Sequence, residues 1–481
     1  MNVFSMTRTW SLRGARSVAD LSFGRRARLA STAMALTTLL VVPAVTLSAG
    51  AAGAAAPAPE TFTGATAAGR YIVDLVVKSP TSISIDVTTP EVTHSKCPYG
   101  DYEFTNASLK NGAFYATGAF SAATPQLTFT VRGTLTSAFT TRGTVTGNYG
   151  CGADSFQITR PMTLSLSTNP VAMAMDPGLQ TVYALGYGSA SPYQSYLYFI
   201  HAATNKVVRT VDVGTQANGV TVDTSTDVVY VSTYVSDVQG MDIVSGRTGK
   251  VTGFIKAVTG PGGFDSKTGL LYFGGPAVSV VNGRNNKVVA TIDNVPSPTA
   301  VGVDQLTDTI YITSQNNGGG VWVINGKTNK LVGGNTVYPQ TIPFSRSPDG
   351  LAADPGAGRV FFSCSAAGSA PAALNAGLAV VRVAANQVTA ADNFSADAEP
   401  TANGIGIDEQ TNTIYVANAT DVEGEAGWVL AINAKTLAIT RTIYGINASG
   451  ALEVDAANDT VYVAGPGYVA GTGTVYVIHG S

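Results

Sequence analysis

The chain has 481 residues, of which 12% are charged, with 53 glycines and three cysteines. Long solvent-facing helices need more charge than this, whereas short strands joined by tight turns need glycine. The formal net charge of −3 leaves no basic footprint for nucleic acid.

The N-terminus reads as an export signal. Arg8, Arg13, Arg16, Arg25, Arg26 and Arg28 precede an apolar run from Leu29 to Leu47, and small residues follow, with A-x-A cleavage patterns at Ala49–Ala51 and Ala54–Ala56. Uncleaved, the run is about long enough to span a bilayer; the small-residue tail points to cleavage. Residues 1–56 are therefore assigned to a signal peptide and an Ala-rich linker. The mature chain keeps 22 basic and 30 acidic residues, a net −8. No second apolar run of spanning length follows, so no membrane span is expected after cleavage. The predicted location is secreted or cell-surface associated.

Residues 57–160 read as a small β module, sandwich-like or barrel-like. Runs such as Ser82–Val87 and Leu127–Val131 alternate apolar and polar residues. Cys97 and Cys151 fall in this module, and an exported protein meets an oxidising compartment, so a disulfide between them is predicted. Closing that loop contributes about 4 kcal/mol on the chain-entropy model. Cys364 is left over and reads as a small buried residue.

From about Met162 a unit repeats. Its anchors are Asp176, Asp223, Asp265, Asp304, Asp354, Asp408 and Asp455, and seven positions after each stands Tyr183, Tyr230, Tyr272, Tyr311, Phe361, Tyr415 or Tyr462. Anchors lie 39 to 54 residues apart, and each interval holds four strand signals. That period is the mark of β-propeller blades, and seven are counted over 161–481. In the fourth unit the strands are predicted at Val301–Asp304, Thr309–Thr313, Gly320–Asn325 and Lys330–Val337. The residue four before each anchor is small or tightly turned, as inner strands near an axis require. The carboxylate can accept backbone N–H bonds across the following turn, so it reads as scaffold. The last unit stops after its third strand, and Met162–Ser167 has the pattern and spacing to supply the fourth, which would leave no open edge.

Two tempting motifs dissolve in this frame. Gly326-Lys327-Thr328 ends like a phosphate-binding loop, but Val321 stands where the leading glycine is required. His201 and His479 occupy the turn position filled by Asn282, Asn325 and Asn433.

The stretches Asn412-Thr413-Ile414-Tyr415-Val416-Ala417-Asn418 and Asn286-Lys287-Val288-Val289-Ala290-Thr291-Ile292 resemble the repeats of the YVTN family of β-propellers. The resemblance covers about residues 162–481. It implies a surface-layer or secreted binding protein, in a family where some relatives act as lactonases or lyases. Phe361-Phe362 and the short link at Gly274-Gly275 depart from the pattern.

Function is sought where the units differ. The first unit carries Tyr187, Tyr193 and Tyr196 around an enlarged loop, suited to stacking on a sugar or peptide. Asp421, Glu423 and Glu425 form an acidic loop with the oxygen ligands that Ca²⁺ takes; no other cofactor is expected. Glu453 is the only charge two residues before an anchor and is expected to face the central channel. No G-x-S-x-G, H-E-x-x-H or EF-hand pattern occurs, and three dispersed histidines assemble no triad or metal cluster. No catalytic residue is assigned. The reading is an exported, non-catalytic β-propeller that binds a protein or glycan at its variable loop face. A secreted lactonase-like hydrolase or lyase using channel carboxylates, and a structural surface-layer component, are the alternatives.

Overall fold

The computed structural model describes residues 60–66, 70–89, 97, 100–120, 127–137, 139–189, 191, 193–235, 238–314, 320–332, 348–354, 359–364, 377–382, 387–393, 401–419, 427–448, 450–466 and 472–479. Every regular element among them is a β-strand.

Eight strands, from Glu60–Ala65 to Gly152–Thr159, pair in chain order as an antiparallel meander. Alternation builds the inner face: in Gly100–Lys110, Tyr102, Phe104, Ala107 and Leu109 turn inward between exposed neighbours. The sheet curls until its edges approach, with Ile158 of the last strand against Gly64 of the first. The sandwich-like module thus takes the form of one nearly closed sheet around one core, which includes Phe62, Tyr71, Phe129 and Phe156. Gly133 and Gly143 pair across two strands, and a Cβ on either would strike the ring of Phe114 or Phe156. Cys97 and Cys151 form the predicted disulfide.

The rest of the chain forms one seven-stranded and four four-stranded sheets in chain order, and a final sheet assembled from both ends of the segment. The seven-stranded sheet arises because Lys206–Asp223 serves two neighbours. Its first part pairs with Gln194–His201 and its second with Val228–Val235. In the final sheet, Leu452–Asp455, Thr460–Pro466 and Gly473–His479 are completed by Met162–Leu166, with Leu164 opposite Val475. First strands of successive sheets pack side by side: Gly302 lies against Leu351, and Gly406 against Leu452 and Val454. The fold is a β-propeller. Of the fourth strand predicted at Lys330–Val337, Lys330–Leu331 is observed; Val332 is a bend, and residues 333–337 lie outside the described residues.

Each anchor aspartate is buried, and six of the seven accept hydrogen bonds from the turn that follows. Asp304 accepts from the backbone N–H of Leu306 and Thr307 at 2.8 and 3.1 Å, and Asp408 from Gln410 and Thr411 at 2.8 and 3.2 Å. Asp354 takes the guanidinium of Arg359 at 2.7 Å; residues 355–358, which follow it, lie outside the described residues.

Three of the repeated tyrosines tie one sheet to the next. Tyr230 donates to Asn286 Oδ1 at 2.6 Å, Tyr272 to Asn329 at 2.7 Å, and Tyr462 to Asn205 at 2.7 Å. Each asparagine sits in the left-handed region of a third-to-fourth-strand turn, with φ of 57°, 53° and 50°, which asparagine tolerates well. The Tyr462–Asn205 bond spans 257 residues and fastens the last sheet to the first. Where the pair is missing, the chain compensates. Phe361 has no hydroxyl, Leu437 takes the left-handed position (φ 61°), and Arg359 donates to the Ala434 carbonyl. Gly249 replaces the asparagine facing Tyr183, and the buried Tyr183 hydroxyl has no partner among the described residues.

Candidate functional site

In a meander, the second-to-third-strand loops emerge at the end opposite the aspartate turns. The enlarged loop of the first sheet lies there, between Thr181–Tyr187 and Gln194–His201. Tyr187 and Tyr193 meet edge to face, ring centres 6.5 Å apart, and Tyr193 is 41% exposed. The loop is pinned at both ends. Gly188 N–H donates to Gln194 O at 2.9 Å, and Gln216 N–H to Tyr193 O at 3.0 Å. The Gln194 amide donates to the Asp212 carboxylate and, at 2.6 Å, to Gly214 O. Ser195 Oγ accepts from Ala217 N–H at 2.9 Å. Tyr193 itself has a φ of 58°, a cost of order 1 kcal/mol that the surrounding bonds hold in place. Tyr187 is half-buried; an aromatic pair with one exposed ring on a pinned loop presents area at little entropic expense.

Tyr196 separates from this pair. It sits within the strand, one register step out of phase with Tyr187, and packs on the core that holds Met173, Tyr462 and Val475. Strand alternation, rather than sequence distance, divides the three tyrosines.

Beside the loop lies an acid that the sequence gives no reason to single out. Asp242 is 5% exposed; burial, and then the nearby Asp212 carboxylate, push its pKa up to about 6. Asp212 pairs with Tyr196 and Asp242 with Val231, and only the folded sheet brings the two carboxylates within reach of each other.

Glu453 lies on the first strand of the last sheet, Leu452–Asp455. Its neighbours Leu452 and Val454 turn toward Gly406 of the preceding sheet. Alternation then sends Glu453 to the opposite face, where its cross-strand partner Tyr462 reaches for the first sheet. Although Glu453 keeps some accessible area, protein surrounds its carboxyl, and burial alone pushes its pKa up to about 8, with no charged neighbour contributing. Asp421, Glu423 and Glu425 lie outside the described residues. Among those described, no group of three or more His, Cys, Asp or Glu side chains is placed to hold a metal ion. His201 and His479 lie at their turns, near Thr204 and Thr460 hydroxyls at 3.3 and 3.4 Å.

A cavity of about 740 Å³ opens where the propeller meets the N-terminal sheet. Arg142, Phe156 and Gln157 line it from one side, Tyr415, Thr440 and Arg441 from the other.

No protein-family model matches the chain, and no curated protein is similar to it. Solved structures do resemble it. A hydrazine synthase structure from Kuenenia stuttgartiensis superposes with a TM-score of 0.51 at 15% identity, over 65% of this chain and 96% of that one. The structure of U3-55K gives 0.48 at 10% identity, over 66% and 98%. The Cps50 (Swd1) β-propeller domain of Myceliophteria thermophila gives 0.48 at 11%, over 66% and 98%. At such identities the likeness is one of fold.

Proposed function

We propose that the protein is an exported, non-catalytic binding scaffold of the YVTN kind. Its propeller has seven blades, the seven-stranded sheet counting as two, and it engages a protein partner outside the cell or at its surface. The observation that carries this reading is the contrast between a scaffold of recurring aspartates and tyrosines and one loop that breaks the repeat. That loop presents the Tyr187–Tyr193 pair, with Tyr193 exposed and Tyr187 half-buried, on a backbone held by Gln194, Ser195 and Gln216. Aromatic anchors on pre-organised loops are where binding energy concentrates. Export is supported by the arginine-led apolar segment and by the Cys97–Cys151 disulfide, which suits an oxidising compartment.

The test uses mature protein immobilised beside a Tyr187→Ala/Tyr193→Ala variant and exposed to extracellular and cell-wall fractions of cells that produce it. Retention of a protease-sensitive partner by the first and not the second supports the proposal. Equal retention refutes it. Retention that survives protease and is abolished by deglycosylation makes the partner a glycan.

A further inference from the structure

The cavity is a consequence of how the ring closes. Tyr230, Tyr272 and Tyr462 each reach an asparagine in the turn between the third and fourth strands of the next sheet. Tyr415 cannot. The next sheet takes its fourth strand, Met162–Leu166, from the opposite end of the segment, so no such turn exists there. The space that the turn fills elsewhere is covered by the N-terminal sheet, whose Phe139 ring lies 5.8 Å from that of His479. Covering leaves room. The volume falls within the range of small-molecule sites, about 300–1,000 Å³.

Its lining has a definite chemistry. Arg441 takes over the Tyr415 hydroxyl: burial raises that hydroxyl's pKa, and the Arg441 charge and hydrogen bond oppose the rise. One hydroxyl occupies little of a guanidinium's five-donor fork. Arg142 stands exposed on the opposite wall, contributed by Thr140–Gly147. Asp459 is the one acid in the lining, against two arginines. In a chain with more acids than bases, this is a local reversal of sign. Hydroxyls of Thr66, Ser155 and Thr440 and the amide of Gln157 surround the arginines, and Phe156 and Ile439 supply apolar surface.

We propose that this seam cavity is a binding site for an anionic saccharide, a sugar unit bearing a carboxylate. The arginines pair with the carboxylate, for which a guanidinium fork is shaped. The hydroxyls and amide meet the ring hydroxyls, and the Phe156 side receives the apolar face of the ring. Because the site straddles the N-terminal sheet and the propeller, occupancy ties the two together and raises the melting temperature by mass action. The site is separate from the tyrosine loop, so its fate and that of the protein-binding reading are independent.

The test is calorimetric titration of the mature protein with digalacturonate, with cellobiose and inorganic sulfate as comparators. Expected are one site for digalacturonate, at least tenfold weaker binding of both comparators, and a higher melting temperature in its presence. Arg142→Gln, at an exposed position, should weaken digalacturonate at least tenfold while leaving the unliganded melting temperature unchanged. Arg441→Gln should weaken it further. No heat with millimolar digalacturonate, sulfate binding as tightly as digalacturonate, or undiminished binding to Arg142→Gln would each overturn the proposal.

Discussion

Replacing Glu453 by Gln removes a titratable group while keeping its size and hydrogen-bonding capacity. Burial pushes the folded carboxyl up to about 8, against 4.5 for the unfolded group. Between those pH values the folded chain holds a proton that the unfolded chain releases, so folding takes one up and stability falls as pH rises. At about 1.36 kcal/mol per pH unit, a difference of 3.5 units sets a ceiling of about 5 kcal/mol. Glu453 keeps some accessible area, and solvent and relaxation reduce the penalty, so about 2 kcal/mol is expected at pH 9. The assay is the melting temperature of both proteins at pH 4, 6, 7.5 and 9, taken as a difference so that other titrating groups cancel. The two should melt together at pH 4, and Glu453→Gln should gain steadily above pH 5, by a few degrees at pH 9. A difference that is flat with pH would refute the reasoning, because it would mean that the carboxyl titrates as it does in water.

The inter-sheet tyrosines make a paired prediction. Tyr272→Phe abandons Asn329 and should cost about 1 kcal/mol in urea unfolding, whereas Tyr183→Phe, which deletes a partnerless buried hydroxyl, should be neutral or stabilising. Cys151→Ser should lower stability by about 2–4 kcal/mol and abolish the mobility shift between reduced and non-reduced gels. Leu166→Asp puts a charge into the core of the closing sheet, where Leu166 is 4% exposed and lies opposite Gly473. It should open the ring, read as faster proteolysis near both Met162–Leu166 and Gly473–His479.

The scaffold was legible because it repeats. An aspartate that recurs with an aromatic seven residues later announces a turn followed by a strand, and the structure has each anchor buried, six of them at such a turn and Asp354 before residues that are not among the described ones. The missing fourth strand of the last unit was equally visible, and Met162–Leu166 lies in that place. Repetition also hid things. The tyrosines read as strand filling, and their bonds to Asn205, Asn286 and Asn329 emerge only when adjacent sheets are set side by side. Tyr187 and Tyr196 are close in sequence and point to opposite faces, because register decides direction. Arg142 and Arg441 belong to no motif. They meet because a meander of eight strands lies over the seam, and nothing local in either neighbourhood carries that information.

The central claim is that the tyrosine loop is the binding face. Its most direct test places a photo-crosslinking amino acid at Tyr193 or, as control, at Tyr115 of the N-terminal sheet, which is more exposed still, in cells that produce the protein. The account predicts a discrete crosslinked protein from position 193 alone, competed by added wild-type protein and not by Tyr187→Ala/Tyr193→Ala. The same adducts from both positions, or none from position 193, would contradict it.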